Sequence, residues 1–432
     1  MARFIGLDFG TTNTSLARCD GDGAPRLARF DSAGGGTTTF RSVLFFDPTD
    51  PAPGGGARSY SGPEAIERYL ASDGSGRLVQ SLKSYLASGL FQRTQVFSRA
   101  YSLEELIAVI LRGVRNGAED VLGPALEPVK GVVVGRPVRF VHAKTDDDEA
   151  LAQRRLTEAL RLAGFEDVRF EYEPVGAAHW YESGLDHDEL VLIGDFGGGT
   201  SDFCLMRVGP GVRGRPGRDR IVGTEGVGLA GDVFDGEVVD HAVSPALGKG
   251  TSYVSYLDGK EISVPPWIYQ HLRRWHHLSF LRSRDTLRFL KEIKAQSPEP
   301  ERFEALLHLV EADLGFHLHK RVEGAKVTLS TETACGLDFD DGPLEVHQRI
   351  TRDDFEAWIA EHLAAIERAV DALLAKTGVG SGEVDRVFLT GGSSLVPAVR
   401  NVFARRFGEE KLRGGEALTS VALGLAVRAR EG

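Results

Sequence analysis

The chain has 432 residues, 42% hydrophobic and 26% charged, which leaves length for two or more domains with full cores and excludes wholesale disorder. Its 62 Asp and Glu outnumber 51 Lys and Arg, a formal charge of −11, which excludes a general binder of nucleic acid or anionic membrane. Cys19, Cys204 and Cys335 are far apart and in no metal-ligand spacing, no stretch approaches a span of roughly 20 apolar residues, and the N-terminus meets Asp8 before a leader's apolar run is complete; free thiols in a soluble, cytoplasmic protein are expected.

Taken in chain order, Arg3 to Phe9 predicts a first strand, stopped by the turn composition Gly10-Thr11-Thr12-Asn13-Thr14, with Ser15 to Arg18 as the returning strand. Gly21 to Thr39 reads as a loop or ragged hairpin, Arg41 to Asp47 as a strand, Pro51 to Ala57 as a loop and Pro63 to Leu70 as a helix. Ser102-Leu103-Glu104-Glu105 is a capping box opening a helix whose apolar face runs through Leu106, Ile107, Ile110, Leu111 and Val114. Lys130 to Gly135, with Val132-Val133-Val134, predicts a strand covered on both faces. Glu149 to Ala163 is helical, and Val168 to Tyr172 is a strand feeding Glu173-Pro174.

At Leu190 the opening theme returns. An apolar strand again ends in Asp-Phe-Gly, now Asp195-Phe196-Gly197, followed by Gly198-Gly199-Thr200-Ser201-Asp202 and a second strand from Phe203 to Val208. The two aspartates, 8 and 195, are too far apart for a solenoid period and point to duplication of a whole domain. Gly209 to Arg220 reads as a basic, solvated hairpin tip. Trp267 to Phe289 and Pro300 to Lys320 are expected helical stretches split at Ser297-Pro298-Glu299-Pro300, and Thr351 to Thr377 a long helix capped by Thr351. Val384 to Thr390 is a late strand ending at Gly391-Gly392-Ser393, followed by helices Pro397 to Phe407 and Ala417 to Arg430.

Three Gly/Ser/Thr-rich turns therefore follow three apolar strands. Such turns let backbone amides approach phosphate oxygens, and Asp8 and Asp195 at the strand ends make sense beside phosphates when a hydrated Mg²⁺ lies between. Singly, each turn is equally readable as a tight hairpin capped by its acid; three together point to a phosphate site. There is no Gly-x-x-x-x-Gly-Lys-[Ser/Thr] loop and no dinucleotide fingerprint after a strand. His276-His277 and His317-x-His319 lack further ligands for zinc and read as helix-surface residues.

These motifs resemble, in order, those of the heat shock protein 70 (DnaK-type) chaperones of the actin-like ATPase superfamily. Ile5 to Asn13 is similar to the first phosphate motif, Asp195 to Asp202 to the second, and Glu173-Pro174-Val175-Gly176-Ala177-Ala178 to the connecting segment with its water-orienting glutamate. Leu229 to Asp235, Glu323 to Ser330, Ile350 to Glu356 and Leu389 to Pro397 match further stretches. The resemblance implies an α/β, two-lobed actin-like ATPase fold with duplicated ribonuclease-H-like domains. The first lobe would be 1–187 (core 1–40 and 110–187, insert 41–109) and the second 188–432 (core 188–228 and 320–432, insert 229–319). It implies ATP/ADP and Mg²⁺ as cofactors, with Asp8 and Asp195 holding the ion through water and Glu173 and Thr200 completing the catalytic set. Gly10, Thr11, Thr12, Asn13, Gly197, Gly198 and Gly199 would cradle phosphates, and Gly231, Glu323, Lys326, Ser330, Gly391, Gly392 and Ser393 would line the nucleoside.

The implied function is a slowly hydrolysing, Mg-dependent conformational switch with a protein partner or co-chaperone, and with neither nucleic acid nor membrane as partner. Three departures qualify it. The chain ends where the ATPase region of the family ends, as in the short YegD-type members, so no peptide-binding domain is expected. Ile66 stands where the family's catalytic lysine should follow Gly62-Pro63-Glu64-Ala65, and Lys83, outside the motif, reads as a surface residue. Very slow hydrolysis, raised by Ile66→Lys, is one expectation; the other is that Lys83 fills the gap. Val327 stands in place of a base-stacking arginine. A sugar or acetate kinase and an actin-like filament protein are the rival readings.

Overall fold

The repeated Asp-Phe-Gly theme folds into the same hairpin twice. Phe4–Phe9 pairs antiparallel with Asn13–Cys19, Asp8 opposite Ser15, and Glu189–Phe196 pairs with Ser201–Val208, Asp195 opposite Asp202. On its other flank each leading strand takes a parallel neighbour, Gly131–Arg136 in one sheet and Arg386–Thr390 in the other. Beyond these lie Val168–Tyr172 and Leu412–Gly414, again parallel. Arg26–Leu27 and Ile221–Val227 close the antiparallel sides. The two sheets thus share one strand order, which is the duplication expected from the sequence. Val132, Val134 and the whole of Leu190–Ile193 are buried, as parallel strands covered on both faces require.

The computed structural model describes residues 4–431 apart from 21–22, 32–34, 73–74, 123–130, 214, 216, 257 and 415–418. Arg3, Lys130 and Ala417, at which expected elements begin, lie outside the described residues, as does part of the Gly21 to Thr39 loop. By its internal contacts the chain divides into two compact units, Met1–Ala230 with Ala364–Gly432, and Gly231–Leu363. Both sheets belong to the first unit. The second unit is helical, with helices such as Arg284–Gln296, Pro300–Glu311 and Gly315–Thr331, and carries the hairpins Ser252–Val254/Glu261–Ser263 and Ala334–Asp341/Leu344–Thr351.

In each sheet the outermost parallel strand leads toward a buried helix, Glu173–Glu182 in one and Ser420–Glu431 in the other. Residues 173 to 179 are all buried, so the first helix has no polar face for periodicity to reveal. The two helices meet at glycines: a Cβ on Gly424 would lie 1.7 Å from the Gly176 carbonyl oxygen. Gly424→Ala should therefore cost at least about 1–3 kcal/mol of stability, read as a lower urea midpoint, because backbone on both sides must move.

Several expected elements are broken. Trp267 to Phe289 is not one helix but Trp267–Leu272, a 3₁₀ turn at Trp275–His277, Leu278–Leu281, and a fresh start at Arg284, where the Ser283 hydroxyl caps the amide of Thr286. The stretch from Pro300 stops at Glu311 and restarts at Gly315, with Asp313 in the left-handed region (φ 56). The helix capped by Thr351 and Asp354 breaks at Ile359 into Arg352–Trp358 and Ala360–Thr377. The Gly209 to Arg220 tip is not simply solvated: Arg220 is buried and pairs with Glu182 at 2.7 Å, and the same carboxylate oxygen accepts from the Gly209 amide. This ties the base of the tip to the end of the Glu173–Glu182 helix.

Candidate nucleotide site

Strand register carries Asp8 and Asp195 to the ends of their strands, and the turns that follow come together. Within the second turn the Gly197 amide donates to the Thr200 carbonyl at 3.0 Å. Gly199 sits so close to the first turn that a Cβ on it would be 3.5 Å from Thr11 Oγ1, and 3.9 Å from Ser84 Oγ on a third segment. Thr12 accepts at its carbonyl from the Ser42 amide (2.9 Å), and Asn13 Oδ1 accepts from Arg41 (3.2 Å), which fixes the first turn from behind. The Gly391 turn is joined through Thr390, paired in register with Asp195. Gly391 has φ 84 and its missing Cβ would lie 2.1 Å from the Phe196 oxygen, so only glycine brings this turn against the end of the Asp195 strand. Ser393 is buried there, and Ser394 Oγ donates to the Gly391 carbonyl at 2.6 Å.

The charge at this place is lopsided. Lys83, in the 3₁₀ turn Leu82–Tyr85, is only 8% exposed and its Nζ lies 2.6 Å from Glu173 Oε1. The reading of Lys83 as a surface residue is thus overturned: the chain folds it inward against the first residue of the Glu173–Glu182 helix. Burial works against its ammonium, yet Glu173, Asp8 and Asp202 outweigh that and hold its pKa above the ordinary value. Against this one cation stand Asp8, Glu173, Asp195 and Asp202. Burial, with Glu173 next, pushes Asp8 up to about 7 despite Lys83, and the same two causes push Asp202 to about 7. Asp195 is raised as well, by burial first and then by Glu173, Asp8 and Asp202. Asp202 Oδ1 also accepts from the Val138 amide at 2.7 Å.

Four converging carboxylates against one ammonium suit a site completed by a cation. Among the described residues no three His, Cys, Asp or Glu side chains are arranged to grip an ion directly.

Residues 4–251 and 312–430 match the family model described as Hsp70 protein. The chain belongs to the Hsp70 family. Two relatives named chaperone protein DnaK, from Thermosipho africanus and Thermosipho melanesiensis, are each 27% identical to it over 436 residues, covering 98% of this chain and 58% of theirs. The chain therefore spans little more than half the length of the curated relatives it matches. The doubled sheet of this Hsp70 chain is the actin-like ATPase fold of that family, and no helix among the described residues is long and apolar enough to cross a membrane.

Of the residues expected near a nucleoside, this Hsp70 chain places Gly231, Glu323, Lys326 and Ser330 in its second unit. Lys326 Nζ lies 2.7 Å from Asp235 and 3.5 Å from the Gly231 carbonyl, while Glu323 is one turn earlier on the same helix. Ser330 turns back, donating to the Lys326 carbonyl at 3.1 Å. Val327 is 62% exposed. Gly391, Gly392 and Ser393 belong to the first unit.

Sequence reasoning favoured a surface reading of Lys83, naming it only as the alternative that fills the gap left at Ile66, and gave no role of its own to Asp202; the fold buries both. A signal for Lys83 existed: it is the first lysine of the chain and the only one before Lys130, in a stretch with twelve arginines.

Proposed function

We propose that this Hsp70 chain binds Mg·ATP with the phosphates in the turns at Gly10–Asn13 and Gly197–Thr200, and hydrolyses it to ADP and phosphate. The proposed lobes, 1–187 and 188–432, contribute one acid each to the ion, Asp8 and Asp195. The observation that carries the reading is the excess of buried carboxylate, with Lys83 on Glu173, beside two facing Gly/Thr turns. Bound Mg²⁺ supplies charge neutralisation to the phosphates. Glu173 accepts a hydrogen bond from the attacking water and aims its oxygen at the γ-phosphorus. As that O–P bond forms, the bond to the β-bridging oxygen breaks, ADP leaves, and the water's proton passes to the released phosphate. Lys83, held on the Glu173 carboxylate, offers its remaining N–H donors to the charge that develops, which is positioning and electrostatics rather than covalent chemistry. Thr200 donates its hydroxyl to a γ-phosphate oxygen. With Lys83 present, Ile66→Lys is not expected to raise the rate. Gly231, Glu323, Lys326, Ser330, Gly391, Gly392 and Ser393 remain proposed nucleoside contacts, and a co-chaperone and a cytoplasmic setting remain proposals from the family.

Titration calorimetry with ATP, with and without Mg²⁺, followed by phosphate release tests the reading. Binding that ignores Mg²⁺, or phosphate passed to a sugar or acetate in place of water, would contradict it.

A pH dependence follows from the acids. Asp8 titrates near 7 in the folded chain against an ordinary 3.8, so between about pH 4 and 7 the folded state holds a proton that the unfolded state has lost. Stability of the metal-free protein should fall as pH rises through that window. Asp8→Asn should flatten the fall and raise the Tm at pH 8 in EDTA, measured by scanning calorimetry at pH 5 and pH 8. An unchanged pH profile would show that Asp8 is ionised throughout.

A further inference from the structure

The segment that carries Lys83 has little regular structure of its own. It opens at Ser81, whose φ of 58 lies in the left-handed region that residues with a side chain seldom adopt. One 3₁₀ turn follows, Leu82–Tyr85, and residues 86–92 run on as turns and bends until the strand Arg93–Val96 begins. Leu82, Leu86 and Ala87 are buried. Such apolar contacts fix how deep the segment sits, but they are non-directional and leave its orientation open.

The direction comes from one side chain. Arg155, on the helix Asp146–Leu162, places Nη1 2.9 Å from the Ser88 carbonyl oxygen, 3.2 Å from that of Leu86 and 3.4 Å from that of Tyr85. Its Nη2 donates to the Phe91 carbonyl at 2.6 Å. Nε lies 3.2 Å from Glu104 Oε1, in the first turn of the helix Leu103–Gly117, and this pair is largely shielded from water. Every nitrogen of the guanidinium is thereby engaged. One edge is set by a carboxylate, and the planar fork then gathers the carbonyls that end the Lys83 turn. A lysine there would bring one point charge and no fork.

The turn so held faces the reacting groups. Lys83 reaches Glu173 at 2.6 Å, and Ser84 Oγ would lie 3.9 Å from a Cβ placed on Gly199 in the second glycine turn. We propose that Arg155 is a positioning residue for ATP hydrolysis: by orienting the 82–91 segment it keeps the Lys83 ammonium on Glu173 and beside the phosphate turns. The inference rests on the hydrolytic role given to Lys83 above. Misplacing a catalytic group by about 1 Å can cost on the order of 10²-fold in rate, so a side chain that only sets the orientation of this turn has leverage on the chemistry.

Arg155→Gln and Arg155→Lys test it, with Arg154→Gln, at the exposed neighbour on the same helix, as control. Single-turnover hydrolysis should slow about 10–100-fold in both Arg155 variants while half-saturation by Mg·ATP stays within about threefold, and Arg154→Gln should behave as wild type. In a Lys83→Ala background the same Arg155 substitutions should slow the remaining rate by less than about twofold, because the group they misplace is gone. A general lesion of the fold would lower both rates alike. Competitive acetylation read by mass spectrometry needs no turnover: Lys83, shielded in the wild type, should label faster in Arg155→Gln, against the exposed Lys260 as reference. Unchanged labelling of Lys83, a wild-type rate in both Arg155 variants, or a loss undiminished in the Lys83→Ala background would overturn the proposal. A Lys83→Ala protein that hydrolyses normally would instead strike the role of Lys83 itself, and the labelling alone would then decide whether Arg155 holds it.

Discussion

Lys83→Ala should slow single-turnover ATP hydrolysis by about 10²–10³-fold, the usual loss when one preorganised charge-stabilising donor is removed. Binding of Mg·ATP should change far less. The expectation rests on the 2.6 Å contact of Lys83 with Glu173 inside a cluster of four carboxylates. Truncation also leaves Glu173 buried without its partner, which by itself can cost roughly 3–5 kcal/mol of stability. Lys83→Arg therefore belongs in the same experiment: it keeps the charge and the fold but changes donor geometry, and should recover stability while recovering only part of the rate. Ile66→Lys, on a half-buried position of the Gly62–Ala71 helix, should leave the rate where it is. A Lys83→Ala protein that folds and hydrolyses normally would remove Lys83 from the reaction.

Asp195→Asn should weaken Mg·ATP by about 10–100-fold, the range seen when a group orienting an ion's immediate ligands is lost. Affinity for ATP in EDTA should stay constant or improve, since a carboxylate near phosphate is repulsive without its ion. Circular dichroism should be unchanged, because Asp195 ends its strand and the paired backbone remains. Titration calorimetry at two Mg²⁺ concentrations separates the cases. Equal affinity with and without the substitution would sink the role of Asp195 at the ion.

What was legible in the sequence is what is local. Asp8 and Asp195 each lie within five residues of their glycine turn, and the capping boxes at Ser102 and Thr351 close over three residues, so composition alone finds them. Lys83 and Glu173 are 90 residues apart, and nothing near Lys83 announces its partner. Arg220 likewise reads as one more arginine of a solvated tip until the fold brings Glu182 to it. The helix breaks at Arg284 and Ile359 escaped for another reason: both fall inside apolar periods that run on across them, although at Arg284 the capping Ser283 was a local signal. Asp202 stood inside a quoted motif, but its weight comes from burial and from Glu173, which no spacing rule reports.

The doubled sheet has one further consequence. Two halves built alike would present a ligand with two equivalent orientations. Here the equivalence is broken in opposite senses on the two sides: Asp8 faces Ser15 across its hairpin where Asp195 faces Asp202, and the buried helix that begins with Glu173 in one half begins with Ser420, hydrogen-bonded to Thr390, in the other. Each half keeps two acids but seats the second in a different place. The field across the turns therefore has a direction, and a phosphate chain, whose two ends differ in charge, would enter it one way round.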